Sequence, residues 1–149
     1  MIAFEQKRMN EADMALYASW GIRNPLTAAM THSGEWTVDA ENNIYLVSFG
    51  GRGDFPENSD LPPSYFLLRY KGLNVFFIGR STIDIIVEGE RWRTNWFFEV
   101  TAPNSLKDEI ETILRLVADA ILCQKSARRP GLAGKIEVQV VINSIALKN

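Results

Sequence analysis

The sequence predicts an α+β fold: an antiparallel sheet of about six or seven strands, an N-terminal helix, and a long helix in the C-terminal half packed on one sheet face. Three observations carry that prediction. Four strand-like runs stand almost end to end between Ser64 and Thr101. One apolar stripe with helical spacing follows, from Leu106 to Ile121. An alternating run from Lys135 to Asn143 then returns the chain to a sheet.

The first helix is predicted from about Glu11 to Trp20. Asn10 suits the N-cap, Asp13 stands near the positive helix end, and Gly21 suits the left-handed residue that ends a helix. Met14 and Tyr17 begin its apolar stripe. A strand pair follows, Glu35 to Val38 and Ile44 to Phe49, around the turn Asp39-Ala40-Glu41-Asn42-Asn43. In its second strand Ile44 and Leu46 face one way, Tyr45, Val47 and Phe49 the other. Apolar residues on both faces predict an interior strand.

The segment from Gly50 to Pro63 carries too many glycines and prolines for regular structure. Long ordered connections are uncommon and often functional, so it is the first candidate for a recognition loop. The four runs after it are 64–70, 73–79, 82–88 and 91–101, with Lys71-Gly72 and Gly89-Glu90 as two-residue turns. A two-residue turn at Gly89-Glu90 sets Glu88 opposite Arg91 and Val87 opposite Trp92. Val87, Trp92, Ile83 and Trp96 then share an apolar face, with Asp84, Glu88, Arg91, Arg93 and Asn95 on a solvated one. The sheet is therefore expected to have one covered face. The covering helix is predicted from Leu106 to Gln124, capped by Asn104 or Ser105, with Leu106, Ile110, Ile113, Leu114, Val117 and Ile121 buried.

The 149 residues read as a single domain, 1–149, able to bury roughly 70% of its unfolded surface. With 46% hydrophobic and 23% charged residues the chain has globular, not disordered, composition. A net charge of −2 speaks against a general nucleic-acid binder. The charge is uneven: residues 1–63 hold nine acids and four bases, residues 64–149 nine acids and twelve bases. Gathered on one surface, the acidic half would steer a basic partner; scattered, these charges simply keep the chain soluble, which is the favoured reading. The single cysteine, Cys123, forms no internal disulfide, and no signal-like or membrane-spanning apolar run is present. The expectation is a cytoplasmic protein.

Little in the chain carries covalent chemistry. His32 is the only histidine, flanked by Thr31 and Ser33, and no nucleophile elbow accompanies it. Cys123 falls near a helix C-terminus, which disfavours a thiolate. One histidine and one cysteine do not make a zinc set, and Asp54, Glu57 and Asp60 lack calcium-loop spacing. No metal and no cofactor are expected. Gly50-Gly51-Arg52-Gly53 lacks the ending of a phosphate loop. The basic stretch Lys125, Arg128, Arg129 and Lys135 fits a solvated helix end better than a phosphate track.

The layout Trp36-Thr37-Val38-Asp39, Asn43-Ile44-Tyr45-Leu46-Val47, Gly50-Gly51, Tyr65-Phe66-Leu67-Leu68 and Val75-Phe76-Phe77 resembles that of small bacterial immunity proteins accompanying contact-dependent toxins. The resemblance covers about residues 34–122 and rests on fold-forming residues. It implies a non-enzymatic protein that binds and blocks one toxin domain. On that reading Asp39 and Glu41 in the turn, with Arg52, Asp54, Glu57 and Asp60 in the long loop, are the partner-binding candidates. The alternatives are a small enzyme or ligand-binding domain using His32 and a nearby carboxylate, and a module that self-associates through an open sheet edge or apolar sheet face.

Overall fold

A computed structural model of the chain describes residues 2–7, 11–12, 15, 33–49, 64–81, 85–87 and 91–149. Its strands are β1 (Ala3–Lys7), β2 (Ser33–Asp39), β3 (Ile44–Phe49), β4 (Ser64–Tyr70), β5 (Leu73–Ser81), β6 (Ile85–Val87), β7 (Arg91–Pro103) and β8 (Ile136–Lys148). One α-helix, α1 (Ile110–Arg128), is described between β7 and β8, entered through a 3-10 segment, Asn104–Glu109. The fold is mixed α+β. The helix expected from Glu11 to Trp20 falls largely outside the described residues. Ahead of it lies β1, a strand the sequence pattern does not announce.

All eight strands belong to one sheet. β5 pairs with β7 over Trp96 to Thr101, β6 over Arg91 to Arg93, and β8 along Trp92 to Pro103. A strand has only two edges, so β8 occupies one and β5 and β6 share the other. The sheet is thus seven strands wide, in the order β1, β2, β3, β4, β5 with β6, β7, β8.

The expected all-antiparallel sheet is corrected at one place: β7 and β8 are parallel. The cause is the helix between them. Antiparallel neighbours need only a hairpin, whereas a helix laid back along the sheet returns the chain to the start of the strand it left. The next strand then runs in the same direction.

The hairpin turns differ in how well they follow the sequence. Lys71 and Gly72 have φ of 51° and 80°, the backbone of a type I′ turn, and Tyr70 pairs with Leu73 as a two-residue loop requires. The second hairpin is one residue out of the expected register. Val87 pairs with Arg91, not Trp92, so the connection comprises Glu88, Gly89 and Glu90. The even positions of β7 still face the core, with Thr94, Phe98, Val100 and Ala102 buried.

The core lies between the sheet and α1. Trp36, Ile44, Leu46, Phe66, Leu68, Val75, Phe77, Phe98 and Val100 meet Leu106, Ile110, Ile113, Val117, Ala120 and Ile121. The predicted helix stripe is buried, except that Leu114 is only half-buried. The helix runs beyond Gln124 to Arg128, and neither Asn104 nor Ser105 caps it: no side-chain cap bond is made, and a 3-10 turn tightens the entry instead. α1 touches β8 and also β2, near opposite sides of the sheet. A flat sheet of this width would measure about 29 Å across at ~4.8 Å per strand. The 19-residue helix, about 28 Å long at ~1.5 Å per residue, is long enough to reach across it.

The opposite face is not simply solvated. Val47, Leu67 and Phe76 stand side by side in register and are buried, Leu67 completely. The expected single covered face is corrected accordingly: the middle of the second face is buried too.

Candidate functional site

Two of the six sequence-predicted partner contacts lie in the turn between β2 and β3. Asp39 is spent on the turn itself. Its Oδ1 accepts the backbone N–H of Asn42 at 3.2 Å, and its Oδ2 accepts the Asn42 side-chain amide at 2.6 Å. The Asn43 N–H donates to the Ala40 carbonyl at 3.3 Å, with Asn43 in the left-handed region. The side-chain bond from Asn42, then its backbone bond, hold the Asp39 carboxyl below the usual carboxylate value. Glu41 sits exposed on this braced turn.

Arg52, Asp54, Glu57 and Asp60 lie outside the described residues, as does His32. The strands bracketing residues 50–63 are described, and they fix where that segment is attached. The turn enters β3 at Ile44, and the 50–63 segment leaves it at Phe49 and returns at Ser64. The two are anchored at opposite ends of a six-residue strand, about 20 Å apart at ~3.4 Å per residue. The six candidates therefore do not spring from one end of the sheet.

Among the described residues, Cys123, Arg129 and Arg93 make contacts that hold the fold. The Cys123 Sγ–H donates to the Ile2 carbonyl at 3.5 Å, tying α1 to the start of β1. The Arg129 guanidinium lies 4.9 Å from the centre of the Trp92 ring, a cation–π contact that closes the helix exit over β7. The Arg93 guanidinium donates to Glu137 Oε2 at 3.2 Å across the parallel pair.

Sequence reasoning missed one cluster. Glu109 Oε1 accepts the Tyr70 hydroxyl at 2.9 Å and the Lys71 ammonium at 3.1 Å. This clasp joins the tight hairpin between β4 and β5 to the entrance of α1. The lysine and then the tyrosine hold the Glu109 carboxyl below its usual value, and Glu109 raises Lys71 above its own. Its partners are 38 and 39 residues apart in the chain, so no local spacing rule points to it.

Among the described residues no group of three His, Cys, Asp or Glu gathers for a metal ion. No described helix is long and apolar enough to cross a membrane. No known protein family, curated protein or solved structure matches the chain.

Proposed function

We propose that the protein is an immunity or antitoxin-like binding protein, which blocks a cognate toxin domain by steric and electrostatic occlusion. The observation that carries this reading is the β2–β3 turn. Asp39 and Asn42 clamp its backbone, and Glu41 stands exposed on it. A charge carried on a braced turn meets a basic partner with little backbone left to order. Glu41 belongs to the half of the chain with a surplus of five acids, which supports steering of a cationic surface.

On this proposal Glu41 contacts the partner, Asp39 positions it, and Asp54, Glu57, Asp60 and Arg52 supply the second contact region. The two segments are attached at opposite ends of β3, which suits a partner broad enough to span the sheet end to end. A toxin domain has that breadth; a small metabolite does not.

The test is reconstitution with the product of the adjacent reading frame. The expected result is a stable complex, loss of toxin activity on mixing, and an association rate that falls steeply with salt. Glu41→Lys should slow association roughly tenfold or more while leaving the melting temperature unchanged. Full toxin activity in the presence of excess protein would refute the proposal.

A further inference from the structure

The strand β8 offers a second, independent surface. It is 13 residues long and forms an outer edge of the sheet: among the described residues its backbone pairs only with β7. Val141, Ile145 and Leu147 are exposed at 43%, 45% and 41%. Long apolar edges are usually shortened, charged or covered, because they template further strand pairing.

The register of β8 contains an irregularity that bears on what pairs there. Phe98 faces Ile142, but Glu99 faces Ser144, so Asn143 is an extra residue. Before it, Val138, Val140 and Ile142 share the helix side of the sheet with Thr94, Trp96 and Phe98. After it the phase reverses. Ile145 and Leu147 stand beside Val100 and Ala102 on that same helix side, and Glu137 and Lys148 both fall on the other face.

We propose that β8 pairs antiparallel with β8 of a second copy of this chain, forming a two-fold dimer with a continuous sheet. Directly opposed residues of an antiparallel pair share a face. The phase reversal at Asn143 means that the whole strand satisfies this rule only when each half opposes the other half of its copy. Centring the two-fold axis between Ile142 and Asn143 does so. Val138 then faces Leu147, Val140 faces Ile145, and Glu137 faces Lys148, with every pair on a matching face. Sliding the register by two in one direction sets Lys135 against Lys148, a like-charge pair. Sliding it the other way leaves Lys148 opposite Gln139. The charges therefore select the central register, and a two-fold operator repeats each pair twice. This inference is independent of toxin binding, because β8 carries none of the partner-binding candidates.

Sedimentation velocity over roughly 1–100 μM is the test. The expected result is a concentration-dependent species of twice the chain mass. Lys148→Glu and Glu137→Lys, each alone, place like charges opposite one another and should weaken the dimer by roughly tenfold; Glu137→Lys also breaks the Arg93 pair within its own chain, so its melting temperature is measured alongside. Mixing those two variants restores both attractive pairs, and a heterodimer of near wild-type affinity should form. A purely structural role for either residue gives no such rescue. Ile145→Lys, at an exposed position, should yield a monomer with unchanged circular dichroism. A wild-type protein that stays monomeric throughout would overturn the proposal, leaving Asn143 as a guard against pairing or the edge open to a foreign strand. A dimer indifferent to Ile145→Lys and to both charge variants would overturn it equally, by placing the contact elsewhere.

Discussion

Gly79 lies on β5 opposite Phe98, and a Cβ there would run into the Phe98 ring and crowd Trp96. Phe98 is fully buried, stacks on Trp96 at 5.6 Å and meets Phe77 and Phe66 edge-on. That ring has nowhere to go, so Gly79→Ala should destabilise by about 1–3 kcal/mol in urea unfolding, as overpacking does. Trp36 illustrates the opposite situation. It is buried, yet its indole N–H has no acceptor among the described residues. Trp36→Phe therefore forfeits packing but no hydrogen bond, and should cost clearly less than the about 3–5 kcal/mol of Trp36→Ala. At the turn, Asp39→Ala removes both bonds to Asn42 and should weaken partner association without deleting the Glu41 charge. A partner affinity equal for wild type and Asp39→Ala would show that turn rigidity is irrelevant to binding.

At the scale of elements, α1 holds the fold together through one stripe. Ile113 is wholly buried and Leu114 is only half-buried. Ile113→Ala should cost about 2–5 kcal/mol and Leu114→Ala distinctly less, by chemical denaturation. The hairpin-to-helix clasp gives a pH signature. Glu109 has a lowered pKa in the folded state, so its contribution is complete above its ordinary value of 4.5 and is lost as pH falls through the lowered one. Lys71 is raised, so its contribution holds below 10.5 and is lost as pH rises through the raised value. The melting-temperature difference between wild type and Glu109→Gln should persist across neutral pH and close at acid pH. A difference that widens on acidification would contradict the clasp. Elements with a local periodic signal, such as β4, the Lys71-Gly72 turn and the stripe of α1, were legible in the sequence. The parallel pairing of β8, the clasp at Glu109 and the three-residue turn before Arg91 were not, because each is decided by contacts between distant segments. Of the candidate site, the turn's position was legible, but the consumption of the Asp39 carboxylate by Asn42 was visible only in three dimensions.

For the whole molecule, the two proposals draw on two different places in the same sheet. The turn between β2 and β3 leaves Glu41 exposed, and β8 forms the far edge of the sheet. A dimer through β8 keeps the two acidic turns on separate subunits, so a complex with toxin should contain equal numbers of each chain. Light scattering on the purified complex measures that ratio directly; two dimer subunits sharing one toxin would rule out independent sites. The helical crossover before β8 also imposes an order on assembly. During synthesis β7 emerges well before the strand that will shield its outer side, and the intervening residues must first coil and lie down. For that interval Trp96 and Phe98 sit on a strand with a bare flank. The nascent protein is then at its most adhesive, and crowded ribosomes translating the same message are where exchanged or tangled copies would arise.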